Sequence, residues 1–180
     1  MFKVNDKVIY PGHGVAIIQE VVEKNVAGVA TIFFKLTFPY KDMTVLVPSK
    51  RLESTGVRPL SNESLIKEVL LELCKIPRLG SNGELVPSGW SRRHREYQLK
   101  IQTGRLIDVA SIYRDLMYTS HRKDLSFGEK SLMQTTEDLL VQEILTARNS
   151  KLEKILELVR APFQIAVVED KAVQQQTSGA

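Results

Sequence analysis

The stretch Gly56-Val57-Arg58-Pro59-Leu60-Ser61-Asn62 marks the point at which the periodicity of the sequence changes. Before it, short segments rich in β-branched and aromatic residues are separated by turn residues, which is typical of strands. After Pro59, apolar residues recur at the spacing of an amphipathic helix, and Ser61 or Asn62 can cap its first turn. The stretch therefore divides the chain into a β module and a helical module.

The part of the chain before this junction predicts four strands and a short fifth. Four segments have the composition of strands: residues 6–10, 15–22, 31–38 and 43–47. Residues 25–28 resemble a hairpin turn, and the fifth strand includes Gly56-Val57-Arg58. Four or five short strands in about sixty residues indicate a small antiparallel barrel, in which closure removes exposed strand edges.

The part after the junction predicts about five helices, the last of them short, from Lys151 to Val159. Ser126 and Glu129 have the spacing of a capping box and are expected to begin the fourth helix. The predicted fold is therefore α+β with two domains, a β domain over residues 1–60 and an all-α bundle over residues 61–165. Residues 166–180 are polar and are expected to form a flexible tail.

The charge of the chain is concentrated in one window. The 180 residues include 25 Lys and Arg and 21 Asp and Glu, which gives a net charge of +4. Residues 90–105 contain five basic residues, one acidic residue and the only tryptophan, so the rest of the chain is neutral. This charge is too small to cover nucleic acid over a wide surface, but it can support one local phosphate contact.

The sequence carries no pattern typical of an enzyme. It contains no Gly-rich phosphate loop and no histidine at a metal-binding spacing, so we expect no catalytic activity, cofactor, metal or small-molecule ligand. No apolar run is long enough for a membrane span. The single Cys74 lies among leucines and is expected to be a core residue in a reducing, cytoplasmic compartment. A small nuclease that uses arginine and histidine is an alternative left open.

The charged window allows two interpretations. Four residues fall on one stripe of the predicted helix: Trp90, His94, Tyr97 and Ile101. In the first interpretation Trp90 packs in the core, and the arginines form a solvated face. In the second, Trp90 projects from the first turn and stacks on a base or inserts into a base step, while Arg92 and Arg95 hold phosphates. Arg93 lies on the flank of the helix and is a further candidate for a DNA contact.

Motifs distributed in order over residues 2–148 resemble the CarD family of bacterial transcription regulators. They are Phe2-Lys3-Val4-x-Asp6-x-Val8-x-Tyr10-Pro11-x-His13-Gly14, Val45-x-Val47-Pro48, Gly56-Val57-Arg58, Trp90-Ser91-Arg92-Arg93, Thr103-Gly104, Arg114-Asp115-Leu116 and Leu125-Ser126-x-Gly128-Glu129-Lys130. Each motif alone is weak, but their joint order is specific.

The resemblance implies a Tudor-like barrel that docks on the β subunit of bacterial RNA polymerase, in the holoenzyme with the housekeeping sigma factor. It also implies a helical domain that touches promoter DNA at the upstream edge of the transcription bubble. The tryptophan that the family inserts into the minor groove matches Trp90, and the basic residues that contact the DNA backbone match Arg92 and Arg95. The family thus predicts a protein that stabilises the open promoter complex without strong sequence specificity.

The same resemblance places the polymerase contact on the β module, at Lys24, Val26, Thr44 and Leu46. Two of these positions are basic in well-known members of the family; here Lys24 is basic and Leu46 is not. The difference puts the charge pairing at Leu46 in doubt. The alternative function is that of a protein–protein adaptor whose β module binds a partner other than polymerase.

Overall fold

The computed structural model describes residues 2–52, 54–81, 83–87 and 89–177, with side chains described as far as Gln164. Five strands form one antiparallel sheet: β1 (Lys7–Tyr10), β2 (Gly14–Val26), β3 (Val29–Phe38), β4 (Met43–Pro48) and β5 (Arg58–Pro59). Their order across the sheet is β4-β3-β2-β1-β5. A short 3-10 helix, Ser49–Arg51, follows β4. Helices follow the sheet, so the predicted two-domain α+β fold is confirmed.

The hairpin between β2 and β3 extends further than the sequence predicted. Ala27 and Gly28 form a two-residue turn in which both φ angles are positive, at 50° and 82°. Turns of this kind match the twist of the strands that they join. The ladder therefore continues as far as the pair of Val26 and Val29.

The sheet surrounds a single apolar core. Strands β1 to β4 contribute most of it: Val8, Ala16, Ile18, Leu36, Phe38 and Val47. Leu52, just after the 3-10 helix, and Val57, just before β5, complete it. These side chains are at most 7% exposed. A sheet whose strands share one core fits the small antiparallel barrel that the strand pattern predicted and the Tudor-like type that the family resemblance implies.

Five helices form the second module: α1 (Glu63–Leu73), α2 (Trp90–Gln102), α3 (Leu106–Ser120), α4 (Phe127–Arg148) and α5 (Leu152–Thr177). Asn62 caps α1 by accepting a hydrogen bond from the backbone of Leu65 at 2.9 Å. Ser126 and Glu129 form the predicted capping box at the start of α4. None of the helices in the described part of the chain is long and apolar enough to cross a membrane.

Two local predictions were wrong. Helix α5 does not end at Val159, because Phe163 continues its apolar face and packs edge-on against Tyr113, with ring centroids 5.7 Å apart. This packing outweighs the cost of Pro162 within the helix. Cys74 is exposed, since it lies at the end of α1 where the chain leaves the bundle. The predicted flexible tail, residues 166–180, lies outside the residues whose side chains are described.

The two modules are joined by a buried ion pair. Arg58 of β5 donates two hydrogen bonds to the carboxylate of Glu143 on α4, at 2.7 and 2.8 Å. Glu143 also accepts hydrogen bonds from the backbone and the hydroxyl of Ser61, at 3.0 and 2.5 Å. Because this carboxylate is only 3% exposed, nearly all of its hydration is replaced by protein donors.

Close backbone contacts support the same interface. Arg58 donates to the carbonyl oxygen of Gly104, between α2 and α3, at 2.8 Å. Gly104 has a φ of +69°, and a Cβ atom there would lie 2.9 Å from Cγ of Pro11. Only glycine fits this site without strain. The helical module is therefore held in one position relative to the sheet, which also fixes the direction in which α2 points.

A second buried carboxylate joins α4 to α5 and gives a testable pH dependence. Glu137 accepts two hydrogen bonds from Arg160, each 2.7 Å, and one from the hydroxyl of Tyr113 at 2.6 Å. The hydrogen bonds from Arg160 lower the pKa of Glu137, against the opposing effect of burial. A lowered pKa contributes stability that is present above the unfolded value, about 4.3, and lost as the pH falls through the folded value.

We therefore expect Glu137→Gln to lower the melting temperature by about 4–8 °C at pH 7, the effect of losing charged hydrogen bonds. The difference from wild type should shrink when thermal unfolding is repeated at about pH 3.5. The exposed Glu157 on α5 offers a matched control, Glu157→Gln, which should melt like the wild type. An equal difference at both pH values would contradict this assignment.

Candidate functional site

Helix α2 begins differently from α1 and α4. Its first residue, Trp90, follows Gly89, which has no side chain to cap the helix, and the first turn contains no acidic residue. The helix dipole therefore leaves a positive end that no capping side chain of a described residue offsets. Asn62 and Ser126 neutralise the corresponding donors of the other two helices. The first turn of α2 is suited to an anion.

Trp90 is partly buried, so part of its side chain packs against the helical core, as in the first interpretation, while part of it stays exposed. Its indole packs on the edge of the helical core and lies against the first turn of α4. A Cβ atom built on Gly128 would lie 3.5 Å from Cζ2 of Trp90. The exposed ring of His94 lies on another side, with ring centroids 5.1 Å apart. The indole is thus held from behind, while part of it faces solvent.

The five cations of the charged window separate into paired and unpaired groups. Arg93 faces Glu129 at 3.5 Å, Lys100 faces Glu96 at 3.5 Å, and Arg105 faces Asp108 at 3.8 Å. The two that remain are Arg92 and Arg95, which are exposed and have no acidic partner among the described residues. They lie three residues apart on one face of α2, next to the turn that holds Trp90.

Arg93 needs a correction, because it does not lie on an exposed flank. The residue is only 8% exposed, on the inward face of α2 that also carries Tyr97 and Ile101. Its guanidinium also donates to the carbonyl oxygen of Pro87 at 3.5 Å. Arg93 therefore fixes the first turn of α2 and does not present its charge to solvent as Arg92 and Arg95 do.

Glu129 is the partner of Arg93 that the sequence did not reveal. Burial opposes its ionisation, but hydrogen bonds from the backbone and hydroxyl of Ser126, together with Lys123 and Arg93, lower its pKa. Its capping role follows from the local spacing, whereas its contact with Arg93 depends on packing between α2 and α4. The ionised carboxylate thus holds the two helix starts together around Trp90.

A further polar contact holds α2 against α3. Tyr97 is 2% exposed, and its hydroxyl donates to Oδ2 of Asp115 at 3.2 Å. Burial, and then the neighbouring carboxylate of Asp115, raise the pKa of Tyr97 far above its ordinary value, so the hydroxyl stays protonated. Arg114 in turn donates to Asp115 at 2.8 Å. These contacts orient the helix on which the exposed arginines lie.

The four residues expected to contact polymerase lie on one face of the sheet. Lys24 and Val26 on β2 pair with Thr31 and Val29 on β3, and Thr44 and Leu46 on β4 pair with Thr37 and Lys35 on β3. Cross-strand partners share a face, as do alternate residues of one strand. All four predicted residues are exposed. The register therefore brings together positions that lie about twenty residues apart in the sequence.

Leu46, which replaces a basic residue of well-known family members, has a basic neighbour that the sequence alone did not reveal. Lys35 lies directly opposite Leu46 across the β3–β4 ladder. Its ammonium is paired with Glu20 at 2.7 Å, and both side chains remain partly exposed. A cation is thus present beside Leu46, although it is partly neutralised within the sheet.

The described residues contain no group of three or more His, Cys, Asp or Glu side chains that could hold a metal ion.

Comparison with known families matches each module separately. Residues 2–61 match the CarD-like/TRCF RID domain, and residues 77–160 match the C-terminal domain of CarD. The chain belongs to the CarD family. Its β module and the greater part of its helical bundle therefore correspond to the two domains of that family.

A curated relative supports the CarD assignment. The putative transcription factor YdeB of Bacillus subtilis (strain 168) is 28% identical over 144 residues, which cover 80% of this chain and 90% of the relative. The CarD family is one of transcription factors and not of enzymes. Helix α1 lies between the two matched regions. It is joined to the second of them by the ion pair of its Glu72 with Arg114 of α3. Membership of the family supports a role in transcription regulation.

Proposed function

We propose that this chain binds the β subunit of bacterial RNA polymerase and stabilises the open promoter complex at the upstream edge of the bubble. The outer face of the sheet, with Lys24, Val26, Thr44 and Leu46, contacts the polymerase. Trp90 inserts at the junction between paired and melted DNA. Arg92 and Arg95 contact the phosphates on either side.

The observation that carries this proposal is the first turn of α2. It combines a partly exposed indole with an uncapped helix start and two arginines that have no acidic partner among the described residues. An aromatic face can stack on any unpaired base, and arginines bind phosphates regardless of sequence. The arrangement therefore fits a melted junction better than a particular base sequence.

The proposed mechanism is a shift of an existing equilibrium. A protein that binds melted DNA better than closed DNA favours melting by the ratio of its two affinities. Stacking contributes about 1–3 kcal/mol per base, which corresponds to a shift of roughly 5- to 150-fold. The indole is already held by α4 and His94, so little side-chain freedom is lost on contact with DNA.

The sheet compensates for the small number of phosphate contacts. Two exposed arginines and one helix start give weak binding to free DNA with a shallow dependence on salt. Attachment to polymerase raises the effective concentration of α2 at the promoter. The Arg58–Glu143 ion pair and the contact of Gly104 with Pro11 keep the helical module from moving away from that position.

The polymerase contact can be tested by reversing one charge. We expect Lys24→Glu to weaken capture of the polymerase β subunit by about tenfold or more, because the substitution places an acidic group where a cation pairs with the partner. The exposed Lys154 on α5 provides a matched control, since Lys154→Glu makes the same charge change away from the sheet. Capture should be measured by pull-down with both purified proteins.

Equal capture by Lys24→Glu and wild type would show that the contact lies elsewhere on the chain. If the wild-type chain fails to capture the β subunit at all, the adaptor function with a different partner becomes the better account. Incubation with labelled DNA and RNA, with and without a chelator, separately tests the nuclease alternative.

A further inference from the structure

The outer face of the sheet carries an apolar patch. Five apolar residues of β2, β3 and β4 share this face: Val22, Val26, Val29, Phe33 and Leu46. Val26, Val29 and Leu46 are 49%, 61% and 38% exposed. The solvated face of an antiparallel sheet is commonly polar, so apolar side chains gathered on it mark an interaction site. We call these five residues the outer patch.

The 3-10 helix at the end of β4 adds two cations to this surface. It follows β4 directly and contacts β3. Lys50 and Arg51 are exposed, and neither has an acidic partner among the described residues. The backbone that carries them is fixed, because Leu52 is buried in the barrel core and the carbonyl oxygen of Arg51 accepts a hydrogen bond from the backbone of Thr55 at 2.9 Å. The two charges are thus held at the surface without a pairing that folding requires.

The register of the sheet places cations on both sides of β3. Lys24 of β2 lies opposite Thr31 of β3. On the other side Pro48, the last residue of β4, lies opposite Phe33, and the 3-10 helix begins at the next residue. The acidic residue that shares this face in the described strands, Glu20, already forms an ion pair within the face, at 2.7 Å. The outer patch therefore has positive charge on two sides that the described residues do not neutralise.

The partner that fits this surface has an apolar centre and an acidic rim. Protein interfaces combine an apolar core with a polar rim, and rim charges of opposite sign raise the association rate and select the partner. We propose that Lys50 and Arg51 dock against an acidic surface of the polymerase β subunit. Leu46 belongs to the apolar centre of the same contact.

The inference rests on the proposed function, because it takes the β subunit as the partner. It adds that the charged part of the contact extends beyond the sheet onto the 3-10 helix. The positive charge that position 46 lacks is then supplied four and five residues further along the chain. Lys24 and the 3-10 helix would hold the partner from opposite sides of β3.

Charge reversal at the 3-10 helix tests this assignment. The double variant Lys50→Glu, Arg51→Glu is titrated with the purified polymerase β subunit, and its dissociation constant is compared with that of the wild-type chain. We expect binding to be weaker by about tenfold or more, since two attractive contacts become repulsive. Added salt should weaken binding of the wild type more than binding of the double variant, because salt screens attraction and repulsion alike.

The matched control reverses two other cations of the same module. Lys3 and Lys7 are exposed, and Lys7 lies on β1, which β2 separates from β3. Lys3→Glu, Lys7→Glu makes the same change in net charge and should bind like the wild type. Both double variants should melt close to the wild-type temperature, because the replaced side chains are exposed.

The outcomes separate this inference from the proposed function. Wild-type affinity of Lys50→Glu, Arg51→Glu, together with weaker binding by Lys24→Glu, would overturn the inference and leave docking on the sheet intact. An equal loss of affinity in the two double variants would also overturn it, because the effect would then reflect net charge alone. If the wild-type chain does not bind the β subunit, the proposed function fails and this inference fails with it.

Discussion

Trp90→Ala is expected to shorten the lifetime of the open promoter complex by about 5- to 150-fold relative to the wild-type chain, the factor that corresponds to one stacked base. The indole is the only part of the first turn of α2 that can fill the gap left by an unstacked base. Alanine leaves the arginines and the sheet in place. Lifetime is measured with purified polymerase by challenging preformed complexes with a competitor.

Two controls accompany this substitution. Trp90→Phe retains an aromatic face and should recover part of the lifetime, which a loss of folding would not explain. Capture of the polymerase β subunit should be unchanged in both variants, because Trp90 lies on the helical module, away from Lys24 and Leu46. If Trp90→Ala gives the wild-type lifetime while still occupying the polymerase, insertion of the indole is not the mechanism.

The second large effect is expected at the junction of the two modules. Glu143→Ala removes a carboxylate that accepts four hydrogen bonds from Arg58 and Ser61. Removing one partner of a buried ion pair costs about 3–5 kcal/mol, because the remaining charge has lost its partner. We expect the free energy of unfolding to fall by this amount, as measured by denaturant titration.

Glu143→Ala should reduce the lifetime of the open complex more than it reduces polymerase binding. Once Arg58 and Glu143 no longer hold the modules together, the sheet can still dock, but α2 is no longer held against the DNA. Polymerase capture should therefore persist while the gain in open-complex lifetime is lost. Glu63→Ala, which removes an exposed partner of Arg148, is the matched control and should change neither property appreciably. A wild-type lifetime with Glu143→Ala would show that the rigid junction is not required.

Local signals in the sequence were sufficient for most of the fold. The β-branched runs predicted the four main strands, and Asn62, Ser126 and Glu129 marked helix starts through hydrogen bonds that span only three residues. The start of α2 at Trp90 likewise agrees with the interpretation that placed Trp90 in the first turn of that helix. Such features depend on neighbours in the chain, so one sequence is enough to predict them.

Features that depend on distant partners could not be predicted in the same way. Arg93 was predicted to lie on the flank of α2 as a candidate for a DNA contact, because its partner, Glu129, lies on another helix and could not be recognised. The ion pair of Arg58 with Glu143 joins residues 85 positions apart. Lys35 becomes relevant to Leu46 only through the register of β3 and β4. In each case the sequence supplied the residue types, and packing decided which of them met.

Helix α5 illustrates how packing can outweigh a local signal. The sequence predicted an early end to the helix, at Val159, and Pro162 lies just beyond that point. Phe163 nevertheless packs against Tyr113, and Arg160 bonds to Glu137 one turn earlier. These contacts to α3 and α4 hold the segment in helical form across the proline.

The most direct test of the central claim is the lifetime of the open complex formed by purified polymerase with and without this chain. Lifetime is preferable to transcript yield, since stabilising one intermediate can raise or lower yield according to which later step is limiting. We expect the chain to lengthen the lifetime by roughly 5- to 150-fold. An unchanged or shortened lifetime, with the chain bound to the polymerase, would contradict the proposal that it stabilises melted promoter DNA.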